Sequence, residues 1–195
     1  NDDVCLILGD NILYGHKLPE ILVGAKNIVK SIKKSVIFGY NIINPVEYGV
    51  AEIDENFNVL SLEEKPENPK SNWAVIGLYM YDNSVVDIAK SIRPSDRGDL
   101  EITDINKFYL KNKNLKIQLL GRGYTWFDAG NCDDLYDAAS FIRTIEKSQG
   151  FKIACLEEIV YRKGLINLEQ LRAIVNKNKK TEYGSYLDEM IRLEK

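Results

Sequence analysis

Two aspartates stand where they could hold a metal ion. Asp10 follows the apolar run Val4–Leu8, and Asp128 closes the segment Trp126-Phe127-Asp128. Ligands of open α/β sheets bind outside the carboxyl ends of the strands, so two such carboxylates can meet there. Oxygen ligands suit a hard divalent cation, most naturally Mg²⁺ bridging substrate phosphates. Taken singly, each aspartate is better explained by an Asx-turn or a helix cap, and only the pair favours a metal site.

Candidate phosphate ligands lie in two further segments. In Glu63-Glu64-Lys65-Pro66 the proline biases Lys65 toward an extended backbone. The lysine ammonium could then neutralise a phosphate while Glu64 accepts hydrogen bonds from sugar hydroxyls. The alternative is a solvated charge run on a hairpin. Arg97 and Gly98 precede a predicted helix, whose free N–H groups and dipole favour an anion.

Histidine and cysteine offer little further chemistry. The chain has one histidine, His16, and its three cysteines, Cys5, Cys132 and Cys155, show no CxxC spacing. A disulfide framework and a zinc site are therefore disfavoured. A serine or cysteine triad is disfavoured too, because it needs an imidazole beside the nucleophile.

The elements that must position these residues predict an α/β fold. A strand, a helix and a second strand in the first 40 residues predict a right-handed crossover and a Rossmann-like, mostly parallel sheet. Residues 44–72 are predicted to form a small β insertion. We expect residues 1–150 to form the α/β domain and residues 151–195 a helical appendage. The predicted strands cover residues 4–8, 36–40, 48–53, 59–64, 73–81, 115–120 and 124–127, and the predicted helices cover 19–34, 84–92, 100–110, 131–150, 156–161, 168–175 and 183–193.

Composition narrows the class of protein. The 195 residues are 45% apolar and 28% charged with a formal net charge of -3, which is typical of a globular protein and not of a disordered chain. The absence of a basic surplus disfavours binding to nucleic acid. No apolar run approaches the ~20 residues needed to cross a bilayer, so we expect a soluble, cytoplasmic protein without a membrane partner.

Several motifs, in order along the chain, carry a family resemblance. They are Leu8-Gly9-Asp10-Asn11, Glu63-Glu64-Lys65-Pro66, Leu100-Glu101-Ile102-Thr103 and Trp126-Phe127-Asp128-Ala129-Gly130. Together they resemble the glucose-1-phosphate thymidylyltransferases, a family of sugar nucleotidyltransferases. The resemblance implies the nucleotide-diphospho-sugar transferase fold. It also implies the reaction of dTTP with α-D-glucose 1-phosphate to give dTDP-glucose and pyrophosphate, the first step toward dTDP-rhamnose and related sugars.

The resemblance also implies roles for individual residues. Asp10 and Asp128 would hold Mg²⁺, and with Lys65 they would be the catalytic residues. The residues that would contact the sugar and its phosphate are Gly49, Glu64, Lys65 and Arg97.

A regulatory function is implied for the end of the chain. A secondary nucleotide site would involve Arg122, Glu158, Ile159 and Arg162. The family resemblance further implies a homo-oligomer, specifically a tetramer. The segment after residue 150 carries more apolar side chains than three short helices can bury among themselves, which favours a partner surface, although packing onto the chain's own sheet is an equal alternative.

The sequence departs from the family pattern in one respect. The Gly-Gly-x-Gly-Thr-Arg-Leu loop, which cradles the nucleotide phosphates in the family, does not occur in it. We therefore expect the chain to be the C-terminal portion of such an enzyme and to be inactive alone. The alternative is a non-catalytic subunit of a split enzyme that binds a sugar phosphate or nucleotide. A transferase that uses a preformed sugar nucleotide is disfavoured, because no Asp-x-Asp triplet surrounds Asp10.

Overall fold

The computed structural model describes residues 2–193, which fold into two compact units. The first unit ends at Leu135 and the second begins at Tyr136, within the fourth helix. The strands are β1 (Val4–Ile7), β2 (Asn11–Gly15), β3 (Ser35–Asn41), β4 (Gly49–Ile53), β5 (Val59–Glu64), β6 (Trp73–Tyr81), β7 (Leu115–Leu120) and β8 (Tyr124–Asp128). The helices are α1 (Leu18–Ile32), α2 (Val85–Ser91), α3 (Ile102–Lys111), α4 (Cys132–Gln149), α5 (Leu156–Arg162), α6 (Leu168–Asn178) and α7 (Glu182–Leu193).

A six-stranded mixed sheet forms the centre of the first unit. Its strands follow the order β5-β4-β6-β3-β7, and β1 pairs with β6 as well. The predicted α/β fold class is confirmed, but the prediction of mostly parallel strands is wrong. Within residues 2–193 only β3 and β7 pair in parallel, and every other pair in this sheet is antiparallel. The apolar run in β6 indicates that both faces of the strand are buried. Such a run does not indicate whether the strand pairs parallel or antiparallel with its neighbours.

The predicted β insertion is continuous with this sheet. Strands β4 and β5 form the expected hairpin, and Gly49 and Val50 of β4 pair with Val75 and Ala74 of β6. The hairpin therefore extends the edge of the main sheet and brings Gly49 and Glu64, which are directly opposed in register, beside β6.

Both faces of the sheet are covered by helices. Alternate residues of β6 point to opposite faces, so Val75 and Tyr79 join a core with α2 and α3, while Ala74 and Ile76 join a core with α1. This packing explains why β6 is apolar along its length.

The first strand is more exposed than its apolar sequence suggests. Leu6 and Ile7 are exposed, Ile7 by 55%, because β1 pairs with β6 on one side and with no other element in the described part of the chain. An exposed apolar edge strand is a template for pairing with another strand.

No helix within residues 2–193 has the length and apolar character to span a membrane.

A second, two-stranded sheet was not predicted. Strand β2 pairs antiparallel with β8, placing Asn11 opposite Asp128, and the Ala129 N–H donates to the Asp10 carbonyl oxygen at 2.8 Å. Only five residues long and directly after a turn, β2 gives little periodic signal. Its pairing brings the two predicted metal ligands together.

The second unit contains the helices α5, α6 and α7. Their shared core buries Leu171, Val175 and Leu187. Large apolar side chains on this unit nevertheless remain exposed, among them Leu156 at 69% and Leu165 at 70%.

Candidate active site

A groove of about 180 Å³ opens in the first unit between β6, the β4–β5 hairpin and β8. The residues that line it include Gly49, Glu64, Lys65, Thr103, Trp126 and Asp128. Four of the residues predicted from sequence therefore share one cavity, although they come from segments far apart in the chain. Asp10 and Arg97 contact residues that line the groove, Asp10 through Asn11 and Arg97 through Glu64.

The two aspartates face the same small space beside Gly130. A Cβ atom built at Gly130 would lie 3.7 Å from Asp128 Oδ1 and 3.8 Å from Asp10 Oδ2. Burial raises the pKa of Asp128 above the ordinary aspartate value, and the negative charges of Asp10 and Asp134 raise it further, while Lys65 opposes the shift. The pair thus carries an electrostatic repulsion that a cation would relieve.

This arrangement fits Mg²⁺. Two carboxylates supply hard oxygen donors, and Mg²⁺ is commonly held by one or two carboxylates together with substrate phosphates. Within residues 2–193 no group of three or more acidic, histidine or cysteine side chains could enclose a metal. Phosphate or water would therefore have to complete the coordination.

Glu64 is held at the groove wall by two residues, one from α3 and one from the loop before it. The hydroxyl of Thr103, at the start of α3, donates to Glu64 Oε2. Arg97 Nη1 lies 3.8 Å from Glu64 Oε1. Thr103 is 3% exposed, so its hydroxyl is buried against this carboxylate. Thr103 was not among the residues predicted to contact substrate, and its place in the motif Leu100-Glu101-Ile102-Thr103 was the available signal.

Gly49 leaves space that any side chain would close. A Cβ atom there would lie 2.9 Å from Thr103 Oγ1 and 3.3 Å from Glu64 Oε2. The absence of a side chain keeps the Glu64 carboxylate accessible from the groove.

Lys65 differs from its predicted extended backbone. Its φ is 41°, in the left-handed region, and its N–H donates to the Tyr48 carbonyl oxygen at 3.0 Å. The preference imposed by Pro66 is overridden at the point where the chain leaves β5. Residues held in this region are strained and often cluster at functional sites.

Arg97 lies in the loop before α3, which begins at Ile102. Its half-exposed guanidinium is within 4 Å of the carboxylates of Glu64, Asp99 and Glu101. The arginine is thus near the groove and just before the helix, as expected from the sequence, and its ion-pair partners there are carboxylates.

The four predicted regulatory residues fall in different units. Arg122 is exposed in the turn between β7 and β8 of the first unit. Glu158, Ile159 and Arg162 lie on α5 of the second unit. There Arg162 Nε donates to Glu158 Oε1 at 2.7 Å, and the Tyr186 hydroxyl donates to Glu158 Oε2.

Comparison with known proteins identifies the family of this chain. The family model described as nucleotidyl transferase matches residues 1–145. A glucose-1-phosphate thymidylyltransferase of Neisseria meningitidis is 46% identical over 96% of this chain. One of Neisseria gonorrhoeae is 47% identical over 98% of it. The chain spans 64% and 65% of the lengths of these two relatives.

Solved structures agree in fold. A Bacillus anthracis protein, assigned as a glucose-1-phosphate thymidylyltransferase and solved with sucrose, superposes with a TM-score of 0.62 at 36% identity. The match covers 72% of this chain and 55% of that one. A UDP-glucose pyrophosphorylase superposes with a TM-score of 0.64 at 22% identity, which supports the fold alone. The resemblance seen in the sequence is confirmed, and the chain belongs to the nucleotidyl transferase family.

Proposed function

We propose that the chain forms the sugar-phosphate and metal half of a glucose-1-phosphate thymidylyltransferase site. The whole enzyme would transfer dTMP from dTTP to α-D-glucose 1-phosphate, giving dTDP-glucose and pyrophosphate. The observation that carries the proposal is the shared groove, in which Gly49, Glu64 and Lys65 stand beside Asp128. The names of the Neisseria relatives support the choice of substrates.

The sugar would be held by the wall of the groove at Glu64. One carboxylate oxygen of Glu64 accepts from Thr103, which orients the group toward hydroxyls that bind in the groove. Gly49 leaves room for a sugar ring at this point.

The sugar phosphate would be neutralised by Lys65. An exposed ammonium at the groove mouth acts as a point charge on the phosphate. Arg97 would join it after exchanging a carboxylate contact for the phosphate.

Mg²⁺ is the cofactor that Asp10 and Asp128 would hold, and when bound it would withdraw charge from the nucleotide α-phosphate. The attacking oxygen of glucose 1-phosphate is already anionic at neutral pH. Neutralisation by Lys65 and in-line positioning by the groove can therefore replace a general base. The chain's single histidine is then no obstacle to this chemistry.

The enzymatic proposal is tested by pyrophosphate release from dTTP and glucose 1-phosphate with Mg²⁺. Residues 1–195 alone are expected to give background rates, because the glycine-rich phosphate loop does not occur in this sequence. A fusion to the segment of the meningococcal relative that this chain does not match is expected to be active. Turnover by residues 1–195 alone would contradict the expected dependence on the loop. A folded fusion that binds glucose 1-phosphate but lacks turnover would favour the alternative of a binding subunit.

We also propose that the second unit mediates homo-oligomer formation and that Glu158, Ile159 and Arg162 on α5 contact a regulatory nucleotide. Exposed Leu156 and Leu165 support an apolar partner surface. Leu156→Glu and Leu165→Glu are expected to lower the sedimentation coefficient measured by analytical ultracentrifugation. Ile43→Glu, at a 97% exposed residue of the first unit, serves as the matched control. Unchanged sedimentation of both leucine variants, with a wild-type oligomer present, would contradict this assignment.

A further inference from the structure

The side chain of Asn11 connects three parts of the candidate active site. Its Oδ1 accepts hydrogen bonds from the Gly77 N–H at 2.9 Å and from Trp126 Nε1 at 2.7 Å. Its Nδ2 donates to Asp10 Oδ1 at 2.9 Å. The amide therefore joins β6, β8 and one of the two proposed metal ligands.

The two donors fix the orientation of this amide. Both N–H groups need an acceptor, so the carbonyl end of Asn11 must face Gly77 and Trp126, and the NH₂ end must face Asp10. Aspartate at this position would have no proton to give and would repel Asp10. Glycine at 77 is equally required, since a Cβ there would lie 2.7 Å from Asn11 Cγ and Oδ1.

Trp126 is itself held firmly. It is 9% exposed, and its ring packs edge-on against Tyr48 and Tyr40 with centroid separations of 4.9 and 5.9 Å. A rigid indole thus supports Asn11, and Asn11 supports the exposed Asp10. Ligating carboxylates in metal sites are commonly held by such hydrogen bonds, which limit the freedom lost on binding.

We propose that Asn11 is a positioning residue that locks the Asp10 carboxylate toward Asp128, and that Trp126 and Gly77 act on Asp10 through it. The inference rests on the proposed function in one respect, namely that Asp10 and Asp128 bind a divalent cation. It goes beyond that function because it assigns part of the cation affinity to the hydrogen bonds among Asn11, Trp126 and Gly77, which would not contact the cation themselves.

The experiment measures Mn²⁺ affinity of the full chain by electron paramagnetic resonance, well below the unfolding temperature. Asn11→Ala and Gly77→Ala are each expected to weaken Mn²⁺ binding about 10-fold, in the range for outer-shell substitutions. Trp126→Phe, which keeps the packed ring but removes Nε1–H, is expected to weaken it several-fold. The double variant Asn11→Ala/Trp126→Phe should bind no more weakly than Asn11→Ala, because the two act in series.

Two controls separate positioning from general destabilisation. Gly24→Ala adds a methyl group where no atom lies within 4 Å, and Trp73→Phe alters the other tryptophan. Both should leave Mn²⁺ affinity unchanged. In the apo chain, the Trp126 indole N–H should exchange with solvent faster in Asn11→Ala than in wild type, as measured by NMR.

The outcomes are distinguishable. Wild-type affinity in Asn11→Ala and Gly77→Ala would overturn the inference while leaving the proposed metal site intact. Additive losses in the double variant would overturn the serial action of Trp126. Wild-type protein that binds no Mn²⁺ even with glucose 1-phosphate present would overturn both the metal proposal and this inference.

Discussion

Replacing Asp128 with asparagine is expected to remove measurable Mn²⁺ or Mg²⁺ binding and, at neutral pH, to make the first unit more stable. The carboxylate faces the same space as Asp10, so its loss removes one of two ligands. The loss of affinity should exceed the ~10- to 100-fold typical of outer-shell substitutions. In the active fusion, turnover should fall far more than glucose 1-phosphate affinity, since the metal acts on charge that develops during the reaction.

The gain in stability follows from the direction of the Asp128 pKa shift. Burial and the charges of Asp10 and Asp134 raise this pKa in the folded state. The folded protein therefore binds more protons than the unfolded chain between the two pKa values, and Asp128 costs stability as pH rises through that window. Asp128→Asn removes this cost, so its thermal midpoint should exceed that of wild type at pH 7 and converge with it below about pH 4.

Asp54→Asn provides a control of opposite sign. Hydrogen bonds from Asn58 and Asn56 lower the pKa of Asp54, so its contribution to stability is present at neutral pH and is lost as pH falls through the lowered value. Asp54→Asn should be destabilised at pH 7 and bind Mn²⁺ normally. Wild-type Mn²⁺ affinity in Asp128→Asn, or a lower thermal midpoint at pH 7, would contradict the paired-carboxylate site.

Replacing Lys65 with methionine is expected to weaken glucose 1-phosphate binding about 10- to 100-fold, the range of a hydrogen bond to a charged group. Lysine is the cation that lines the groove, and its stem length is preserved in methionine. Isothermal titration calorimetry of the full chain provides the measurement. Lys70→Met is the matched control, because Lys70 follows the same hairpin but pairs with Glu63 at 2.8 Å and is not among the residues that line the groove.

A glycine at position 65 separates charge from backbone strain. Lys65 has a φ of 41°, a conformation that costs a non-glycine residue roughly 1–2 kcal/mol. Lys65→Gly should therefore lose sugar-phosphate binding as Lys65→Met does, while its free energy of unfolding rises or stays level. Retained binding in both variants would show that another group neutralises the phosphate.

The meeting of Asp10 and Asp128 could be predicted from the sequence, but the strand pairing that brings them together could not. Asp10 and Asp128 each follow an apolar strand run, which predicted that they meet, and they do face one space. The strand that brings them into register, β2, has only three apolar residues between an asparagine and a glycine, directly after a turn, and shows no alternating pattern. Antiparallel pairing of β6 was equally hidden, because burial on both faces makes the same apolar run in either direction.

Local sequence preferences did not predict the residues whose conformation or contacts depend on distant parts of the fold. Pro66 favours an extended Lys65, yet the hydrogen bond from Lys65 to Tyr48 accompanies a left-handed backbone there. The roles of Asn11 and Thr103 depend on partners more than 35 residues away, Trp126 and Glu64. Such contacts leave no local signal beyond the polar residue type itself.

Titration of the ¹⁵N-labelled chain with glucose 1-phosphate, with and without Mg²⁺, tests the proposed half-site most directly. We expect saturable NMR shifts confined to the groove, at the amides of Gly49, Lys65 and Gly77 and at the Trp126 indole, with tighter binding when Mg²⁺ is present. Glucose 6-phosphate, which carries its phosphate on the other side of the sugar, should bind more weakly. Absent shifts, or shifts confined to the helices α5 to α7, would contradict the account.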